Sequence, residues 1–289
     1  MSRTLSARPR SLELAAEAAE CVQRATAARD GRAPILAAVA ATEDVAALIY
    51  MEQLLKQAAT AGFAVKKISL PASASEGEIT TALERLSADA DVAGIILQSP
   101  LPERVDRTRV VTRIAVEKDI DGITAASAAR LSAGDLDGTL LPATAAAVME
   151  LLRAHQIEIH GRRAVVVGRS AVVGRPVAQL LALAGAHVEV VHSKTPDMGA
   201  ITRTAQILVV AAGVRGLVRG EHVGSGCVVV DVGIHAEGDR ILGDVEAESV
   251  TDAVGETGAL SPVPGGVGPM TNAILVLQAA QSALRLAGA

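Results

Sequence analysis

Short apolar runs alternate with helix-length amphipathic segments along almost the whole chain of 289 residues. The runs lie at residues 34–40, 64–70, 92–98, 164–168, 187–191, 207–211 and 227–232. An apolar run of this length is typical of a strand that is buried on both faces. Strands that alternate with helices are typical of parallel sheets, because a parallel connection needs a crossover. The pattern therefore predicts an α/β fold, and its second half predicts a doubly wound, Rossmann-like sheet.

The composition limits the partners that such a fold can bind. About half of the residues (50%) are hydrophobic and 20% are charged, which is typical of a globular chain with enough material for two domains. The formal net charge is −5, and Tyr50 and Phe63 are the only aromatic residues of the FWY type. A nucleic-acid partner is not expected, because there is no basic stripe for phosphates and almost nothing on which bases could stack.

Cysteine spacing and the N-terminal sequence indicate an ordinary reduced protein. Cys21 and Cys227 have neither metal-ligand nor redox-motif spacing, and the histidines lack ligand spacing, so no metal site is expected. No apolar segment of the kind found in signal peptides or membrane spans follows Met1. We therefore expect a cytoplasmic protein with a small-molecule substrate and no membrane partner.

A glycine-containing turn between a strand and a helix is the first candidate binding site. The run at residues 164–167 leads directly into Gly168, and Gly174 and Pro176 begin the next helix. Backbone N–H groups and the helix dipole converge at such a turn and bind phosphate groups. The spacing is not GxGxxG, so an ordinary strand-to-helix turn is the alternative. Arg169 favours the phosphate site, because a guanidinium inside the turn can reach a phosphate.

The end of the following strand indicates which dinucleotide would bind. NAD enzymes place a carboxylate near this point to hold the ribose hydroxyls, whereas this sequence has Ser193 and Lys194. A hydroxyl and a lysine suit a 2′-phosphate, so NADP is preferred over NAD. A solvated surface lysine explains Lys194 equally well, which leaves Ser193 and Arg169 as the stronger candidates.

Several blocks of residues resemble one enzyme family over nearly the whole chain. They are Gly94-Ile-Ile-Leu-Gln98-Ser-Pro100-Leu-Pro102, Lys118-Asp-Ile-Asp121-Gly122, Val165-Val-Val-Gly168-Arg-Ser170 with Val173-Gly174, His192-Ser-Lys-Thr195, Asp231-Val-Gly-Ile234 and Pro262-Val-Pro-Gly-Gly-Val-Gly-Pro-Met-Thr271. The sequence resembles the bifunctional methylenetetrahydrofolate dehydrogenase/methenyltetrahydrofolate cyclohydrolase family. The last block is long, ordered and unusual, so chance does not account for it.

The resemblance implies a fold and a set of partners. A three-layer α/β substrate domain (residues 1–142 and 272–289) would be joined to a Rossmann-like NADP domain (residues 143–271). The C-terminal helix would return to the first domain. The substrate would be a folate, the cofactor NADP, and the assembly a homodimer.

The resemblance also implies roles for individual residues. Tyr50, Gln98 and Asp121 would form the catalytic and folate-binding centre, in which Tyr50 stacks on the substrate rings and Asp121 binds the pterin. The further folate-binding residues would be Pro262, Val263, Pro264, Gly265 and Gly266. The cofactor-binding residues would be Gly168, Arg169, Ser170, Val173, Gly174, Ser193, Gly213, Gly233 and Ile234.

The residues themselves support two of the catalytic roles. Tyr50 is the only tyrosine of a chain that is almost free of aromatic residues, although a core tyrosine is the alternative. Thr42 is the expected cap of the helix that carries it. Gln98 ends a predicted buried strand, and parallel sheets bind ligands at the carboxyl ends of their strands. Asp121 lies in a turn, where solvated aspartates are common, so its role rests on the resemblance.

The chain departs from the family pattern in the predicted substrate domain. The family has a lysine four residues after the tyrosine, on the same helix face, and this sequence has Leu54 there. Lys56 lies roughly on the opposite side of the helix from Tyr50, so it is not expected to substitute. The further departures are Ala47, Ser127-Ala-Ala-Arg130 and Pro142-Ala-Thr-Ala145.

Loss of the lysine predicts different outcomes for the two activities of the family. Hydride loss from methylenetetrahydrofolate mainly needs orientation, because two flanking nitrogens stabilise the resulting cation. Water addition to the methenyl group needs proton transfer, which a leucine cannot perform. We therefore expect an NADP-dependent dehydrogenase with weak or absent cyclohydrolase activity. The alternatives are an NADPH-dependent reductase of another cyclic imine or iminium in specialised metabolism, and a catalytically inactive binding subunit.

Overall fold

The computed structural model of the protein describes residues 2–238 and 240–289. The α-helices are α1 Arg8–Ala27, α2 Val45–Thr60, α3 Glu76–Ala88, α4 Arg107–Val110, α5 Ala125–Ser132, α6 Ala143–Ala154, α7 Gly174–Leu183, α8 Met198–Thr202, α9 Ala247–Val254 and α10 Val267–Ala287. The strands are β1 Arg3–Thr4, β2 Ile35–Ala40, β3 Ala64–Ser69, β4 Val92–Leu97, β5 Arg163–Val167, β6 His187–Val191, β7 Ile207–Val210, β8 Val228–Asp231, β9 His235–Glu237, β10 Arg240–Leu242 and β11 Ala259–Leu260. The predicted α/β class is confirmed. Within the described residues, no helix combines the length and the apolarity that a membrane span requires.

The chain divides into two compact units. We call one the doubly wound unit (residues 2–11 and Thr144–Thr271) and the other the three-stranded unit (Leu12–Ala143 and Asn272–Ala289). The substrate domain over residues 1–142 and 272–289 stays a prediction; in the structure, residues 2–11 group with the doubly wound unit. There β1 pairs in parallel with β11, and the N–H of Ala7 donates to the carbonyl of Gly265 at 2.9 Å. A two-residue strand has no periodicity from which it could be predicted.

The three-stranded unit is built on a parallel sheet in the order β3-β2-β4, with helices on both faces. On one face of the sheet, apolar side chains of β2 and β4 pack against Ile79 and Leu83 of α3. The other face is covered closely at Gly94, where an added Cβ would come within 2.8 Å of Ile120 and 3.1 Å of Ala279 on α10. The sheet is therefore packed on both faces, which fixes the positions of the carboxyl ends of β2 and β4.

Polar side chains hold α10 in the three-stranded unit. The amide nitrogen of Gln278 donates to the carbonyls of Ile120 at 2.7 Å and Leu141 at 2.9 Å. Its amide oxygen accepts from the N–H of Leu141 at 2.7 Å, and the hydroxyl of Ser282 donates to the carbonyl of Glu117 at 2.6 Å. The predicted packing of the C-terminal helix on this part of the chain is confirmed.

The doubly wound unit has a six-stranded sheet in the order β1-β11-β8-β7-β5-β6, and each of its strand pairs is parallel. The chain leaves β5 through α7 to reach β6 on one side, and then crosses to β7 on the other side. The strand order thus reverses between β5 and β7, and open α/β sheets bind ligands at the carboxyl ends of strands at such a switch point.

Helix α2 carries Tyr50, and its start is fixed by Asp44. The carboxylate of Asp44 accepts a hydrogen bond from the N–H of Ala47 at 2.7 Å, which satisfies one of the unpaired donors of the first turn. The prediction of Thr42 as the cap is wrong. The Thr42 hydroxyl instead accepts from the N–H of Asp44 at 3.1 Å and holds the loop before the helix.

Candidate functional site

Gly168 follows β5 and lies at the switch point of the doubly wound sheet. Its φ of +119° is in the left-handed region, and its N–H donates to the carbonyl of Val191 at 2.8 Å. A Cβ at this position would overlap the carbonyl of Ala211, which follows β7. Only glycine therefore fits here, because the backbones that follow β5 and β7 approach closely at the switch point.

The hydroxyl of Ser170 shapes the turn from Gly168 into α7. It accepts hydrogen bonds from the N–H of Val173 at 3.1 Å and of Gly174 at 3.2 Å, and neither bond uses its own proton. A Cβ at Gly174 would overlap the carbonyl of Gly168, so the turn is tight. The exposed Arg169 lies within it. A helix N-terminus, a hydroxyl and a guanidinium at one switch point suit a phosphate group.

The segment after β6 is folded into a turn that presents Ser193 and Lys194. The Thr195 hydroxyl accepts from the N–H of His192 at 3.0 Å, and Nδ1 of His192 accepts from the N–H of Lys194 at 3.1 Å. The side chains of Ser193 and Lys194 are exposed, and residues 192–195 contain no carboxylate. The segment therefore suits a 2′-phosphate better than a free ribose diol.

The buried carboxylate of Asp244 holds the loop after β7. Asp244 is 0% exposed and accepts from the N–H groups of Ala212 at 2.7 Å and Gly213 at 2.8 Å. Nε2 of His235 lies 2.7 Å from its other oxygen. Gly213, one of the predicted cofactor residues, is thereby held in a left-handed conformation with a φ of +67°. Asp244 is not among the residues predicted from the sequence, because nothing in its local sequence pairs it with a loop some 30 residues earlier.

A second buried carboxylate, Asp231, holds the loop after β8. It accepts from the N–H groups of Gly233 at 2.9 Å, Asp244 at 3.0 Å and Val245 at 3.0 Å. Burial raises the pKa of Asp231 to about 6, and these backbone donors oppose the rise. The loop presents Ile234, a residue that is 61% exposed and provides an apolar surface at the carboxyl end of β8.

Residues 262–266 form a turn of the doubly wound unit after β11. Gly265 has a φ of +112°, and the Val263–Pro264 peptide bond is cis. Pro264 is exposed, Pro262, Val263 and Gly265 are half-buried, and Gly266 is buried. The assignment of this turn to the folate stays a prediction, as do the assignments of Gly168, Ser193 and the other residues of this unit to the cofactor.

Tyr50 and Leu54 lie one turn apart on the same face of α2 in the three-stranded unit. Burial and, to a lesser extent, the charge of Asp121 raise the pKa of the Tyr50 hydroxyl, which is therefore protonated at neutral pH. Leu54 is 0% exposed. An apolar and fully buried side chain thus fills the position where the family pattern has a lysine.

Asp121 follows the segment that runs along β4, and its side chain is 22% exposed. Burial raises the pKa of Asp121 to about 7, while the nearby Arg107 lowers it and Asp119 raises it. The turn after Asp121 is tightly packed, because a Cβ at Gly122 would overlap the backbone of Leu141. The charge of Asp121 raises the pKa of Tyr50, so these two predicted residues interact electrostatically.

Gln98 begins the loop after β4. Its N–H donates to the carbonyl of Val39 at 2.9 Å, and its amide nitrogen donates to the carbonyl of Ser99 at 3.0 Å. The guanidinium of Arg107 donates to the Ser99 hydroxyl and also approaches Asp121. Arg107 thus links the loop that begins at Gln98 to Asp121. Arg107 is not among the predicted site residues, because it lies in a charged segment with no helical periodicity.

Asp119 is a second charged residue that the sequence analysis left without a role. It is 0% exposed and accepts from the N–H groups of Ile123 at 3.1 Å and Thr124 at 2.8 Å and from the Ser127 hydroxyl at 2.7 Å. Ser127, one of the departures from the family pattern, therefore makes a buried polar contact. Across residues 2–238 and 240–289, no group of three or more His, Cys, Asp or Glu side chains is arranged to hold a metal ion.

A doubly wound sheet with a tight glycine turn at its switch point, joined to a second α/β unit, defines the class of two-domain, dinucleotide-dependent oxidoreductases. The model of the tetrahydrofolate dehydrogenase/cyclohydrolase catalytic domain matches residues 5–121, and that of the NAD(P)-binding domain of the same family matches residues 142–287. The chain belongs to the tetrahydrofolate dehydrogenase/cyclohydrolase family. The expectation of a nicotinamide dinucleotide cofactor is confirmed by its NAD(P)-binding domain.

Relatives match the chain over almost its whole length. The bifunctional protein FolD of Nocardia farcinica is 47% identical over 272 residues, which cover 93% of this chain and 94% of that protein. The FolD methylenetetrahydrofolate dehydrogenase/cyclohydrolase of Campylobacter jejuni has a similar structure, with a TM-score of 0.92, 34% identity and 99% of both chains covered. The Trypanosoma brucei enzyme, solved with NADP and an inhibitor, has a TM-score of 0.91, 34% identity and 98% of both chains covered.

Proposed function

We propose that this chain is an NADP-dependent methylenetetrahydrofolate dehydrogenase whose methenyltetrahydrofolate cyclohydrolase activity is weak or absent. The observation that carries the proposal is the fully buried Leu54 on the Tyr50 face of α2, at the position where the family pattern has a lysine. The relatives are named as bifunctional, so under this proposal the chain differs from them in its cyclohydrolase activity and not in its dehydrogenase activity.

The cofactor side of the proposal rests on the doubly wound unit. The Gly168 turn, with Ser170 and Arg169, would hold the pyrophosphate, and Ser193 would contact the 2′-phosphate of NADP. The Trypanosoma brucei relative was solved with NADP, which supports the same cofactor here. NADP⁺, when bound, accepts a hydride from the one-carbon unit of the substrate. Ile234, with its exposed side chain, and the Gly213 loop would lie against the nicotinamide half of the cofactor.

The substrate side requires binding and orientation more than proton transfer. The hydride leaves a carbon that is flanked by two nitrogens, whose lone pairs stabilise the positive charge that forms. The ring of Tyr50, whose hydroxyl is protonated, would stack on the substrate. The Asp121 carboxylate would accept hydrogen bonds from the pterin. Positioning of this kind supplies much of the barrier reduction in oriented reactions. None of these roles needs a lysine at position 54.

The cyclohydrolase step differs because water must lose a proton as it adds to the methenyl carbon, and a carbon–nitrogen bond must then break. A side chain that moves the proton typically contributes about 10²–10⁴-fold to such a step. Leu54 has no group that can hold or move a proton. The hydrolysis of methenyltetrahydrofolate should therefore stay close to its uncatalysed rate.

The other lysines of the three-stranded unit do not replace the missing one. Lys118 is 4% exposed, and its Nζ donates to the carbonyls of Ser87 and Asp89, each at 2.7 Å. Lys67 pairs with Glu52, Lys66 lies 3.4 Å from Asp89, and Lys56 is exposed. Each is engaged or displaced from the Tyr50 face, which supports the loss of the proton-transfer activity.

Formation of NADPH by the purified protein, with NADP⁺ and methylenetetrahydrofolate as substrates, tests the dehydrogenase part of the proposal. We expect saturable turnover with NADP⁺ and much weaker turnover with NAD⁺. A second candidate function is the NADPH-dependent reduction of another cyclic imine, which the more apolar Tyr50 face favours. Binding of NADP without any folate turnover, together with NADPH consumption on cyclic imines, would replace the first proposal with the second.

A homodimer remains a prediction from the family resemblance. Sedimentation equilibrium of the purified protein would check it, and a monomer at micromolar concentration would contradict it. The expected mass of the single chain is 29.4 kDa.

A further inference from the structure

The side chain of Arg107 lies where the three-stranded unit holds its predicted substrate residues. Helix α4 begins at Arg107 because the Asp106 carboxylate accepts a hydrogen bond from the N–H of Thr108 at 2.8 Å. This fixed start directs the Arg107 guanidinium to two groups. One nitrogen donates to the hydroxyl of Ser99, and the other lies 3.9 Å from Oδ2 of Asp121.

We propose that Arg107 is a positioning residue of the substrate site, whose guanidinium favours the ionised form of Asp121 and keeps its carboxylate in place, and so provides a cation near the Tyr50 face of α2, where position 54 is a leucine. The inference rests on the proposed function, because it assigns Asp121 to substrate binding. Arg107 lies outside the blocks of residues by which the sequence resembles the family, so the proposal adds a determinant of substrate binding to a chain with Leu54 at the lysine position.

The charged and titratable groups around Asp121 come from three elements. Helix α4 contributes Arg107, the segment of Asp121 itself contributes Asp119, and α2 contributes Tyr50, which is protonated. Helix α10 contributes the neutral Gln278, which binds the carbonyl of Ile120. Among the described residues that act on Asp121, Arg107 is thus the one cation, and it opposes both burial and the charge of Asp119.

The partial burial of the pair makes the guanidinium effective. The Arg107 side chain is 33% exposed and the Asp121 side chain 22% exposed, so solvent screens their attraction less than that of a surface pair. With Arg107 in place, the pKa of Asp121 is about 7. Removal of the guanidinium would raise this pKa further, and the carboxyl group would then be protonated at neutral pH. A protonated carboxyl loses acceptor capacity toward the N–H groups of a substrate ring.

The variants Arg107→Gln and Arg107→Lys test the proposal through the pH dependence of kcat/KM for methylenetetrahydrofolate. In the wild-type enzyme, kcat/KM should fall as the pH drops through about 7, because Asp121 becomes protonated. In Arg107→Gln this fall should move up by about 1 pH unit, in line with the effect of losing a nearby opposite charge. At pH 7 the KM should rise roughly 5-fold, with kcat changed less, and it should recover by about pH 9.

Two further variants separate this role from a purely structural one. Arg107→Lys should keep most of the wild-type pH profile, because it retains the charge. Ser99→Ala, which removes the second partner of the guanidinium, should move the profile in the same direction but less. The matched control is Arg109→Gln on the same helix, whose side chain is 74% exposed, and its profile should equal that of the wild type. A pH-independent loss in Arg107→Gln, or a profile equal to the wild type, would overturn the proposal.

The titration of Asp121 can also be followed without any substrate, by NMR of protein with ¹³C-labelled aspartate carboxyl groups. The resonance is assigned by its loss in Asp121→Asn. Its midpoint should move up by about 1 pH unit in Arg107→Gln and stay in place in Arg109→Gln. An unmoved midpoint would refute the role of Arg107 whether or not folate is the substrate. Absence of folate turnover in the wild-type enzyme would instead refute the proposed function.

Discussion

The Gly168 turn of the doubly wound unit and the Tyr50 face of the three-stranded unit carry their chemistry in different ways. At Gly168 the backbone geometry determines which residue fits, because a Cβ would overlap the carbonyl of Ala211. On the Tyr50 face of α2 the side chains determine the activity, and the helix is intact with a leucine at the position of the family's lysine. A backbone site tolerates almost no change, whereas a side-chain site can lose one activity while the fold and the neighbouring residues remain.

The variant Leu54→Lys should produce the largest effect and would break the contrast between this chain and its bifunctional relatives. An amine one turn after Tyr50 restores a group that can transfer a proton, so hydrolysis of methenyltetrahydrofolate should rise by about 10²-fold or more. Loss of methenyl absorbance would be followed in the absence of NADP. The variant is expected to be less stable, since the position is 0% exposed.

Two controls accompany this variant. Leu54→Met conserves volume without adding an amine, and Gln53→Lys adds the same charge at an exposed position of the same helix. Neither should increase hydrolysis. If Leu54→Lys folds and retains the dehydrogenase activity but hydrolyses no faster than the wild type, the loss of hydrolysis has another cause than Leu54.

The variant Gly168→Ala tests the backbone side of the comparison. The added methyl group would overlap the Ala211 carbonyl and close the turn, so the affinity for NADP should fall by about 100-fold. Gly161→Ala is the matched control, because Gly161 also has a positive φ, +72°, but an added Cβ there meets no atom within 4 Å. Titration calorimetry with NADP would compare the two. Equal losses in both variants would assign the effect to backbone strain and not to the site.

Ser193→Asp should have a smaller effect and sharpens the assignment of the cofactor. A carboxylate would repel the 2′-phosphate and remove a donor, so the KM for NADP should rise by roughly 10-fold while that for NAD does not. Ser193→Ala, which removes the donor without adding charge, should raise the KM for NADP by less. A KM for NADP that is unchanged in both variants would place the 2′-phosphate elsewhere.

The sequence was sufficient for the class of fold and for sites that depend on local pattern. Buried parallel strands are continuous apolar runs, so β4 and β5 could be predicted closely, and the Gly168 turn lies where a strand run meets a helix start. Asp44 in place of Thr42 as the cap of α2 is a local error of two residues. Both threonine and aspartate are good caps, so composition could not decide between them.

Long-range contacts between polar residues could not be predicted. The pairing of β1 with β11 joins the two ends of the chain, and the contact between Asp244 and the Gly213 loop has no periodic signal. Arg107 illustrates the same difficulty, because a guanidinium reaches residues 8 and 14 positions away in opposite directions along the chain. The contacts of such side chains depend on the tertiary fold, so they cannot be inferred from the local sequence.

The most direct test of the account is the rate at which the wild-type protein hydrolyses methenyltetrahydrofolate, measured on the same preparation that reduces NADP⁺ with methylenetetrahydrofolate. We predict that methenyl product accumulates with NADPH and that added protein does not accelerate its hydrolysis beyond the buffer rate. Hydrolysis that rises in proportion to enzyme concentration, at a rate comparable to NADPH formation, would contradict the separation of the two activities by Leu54.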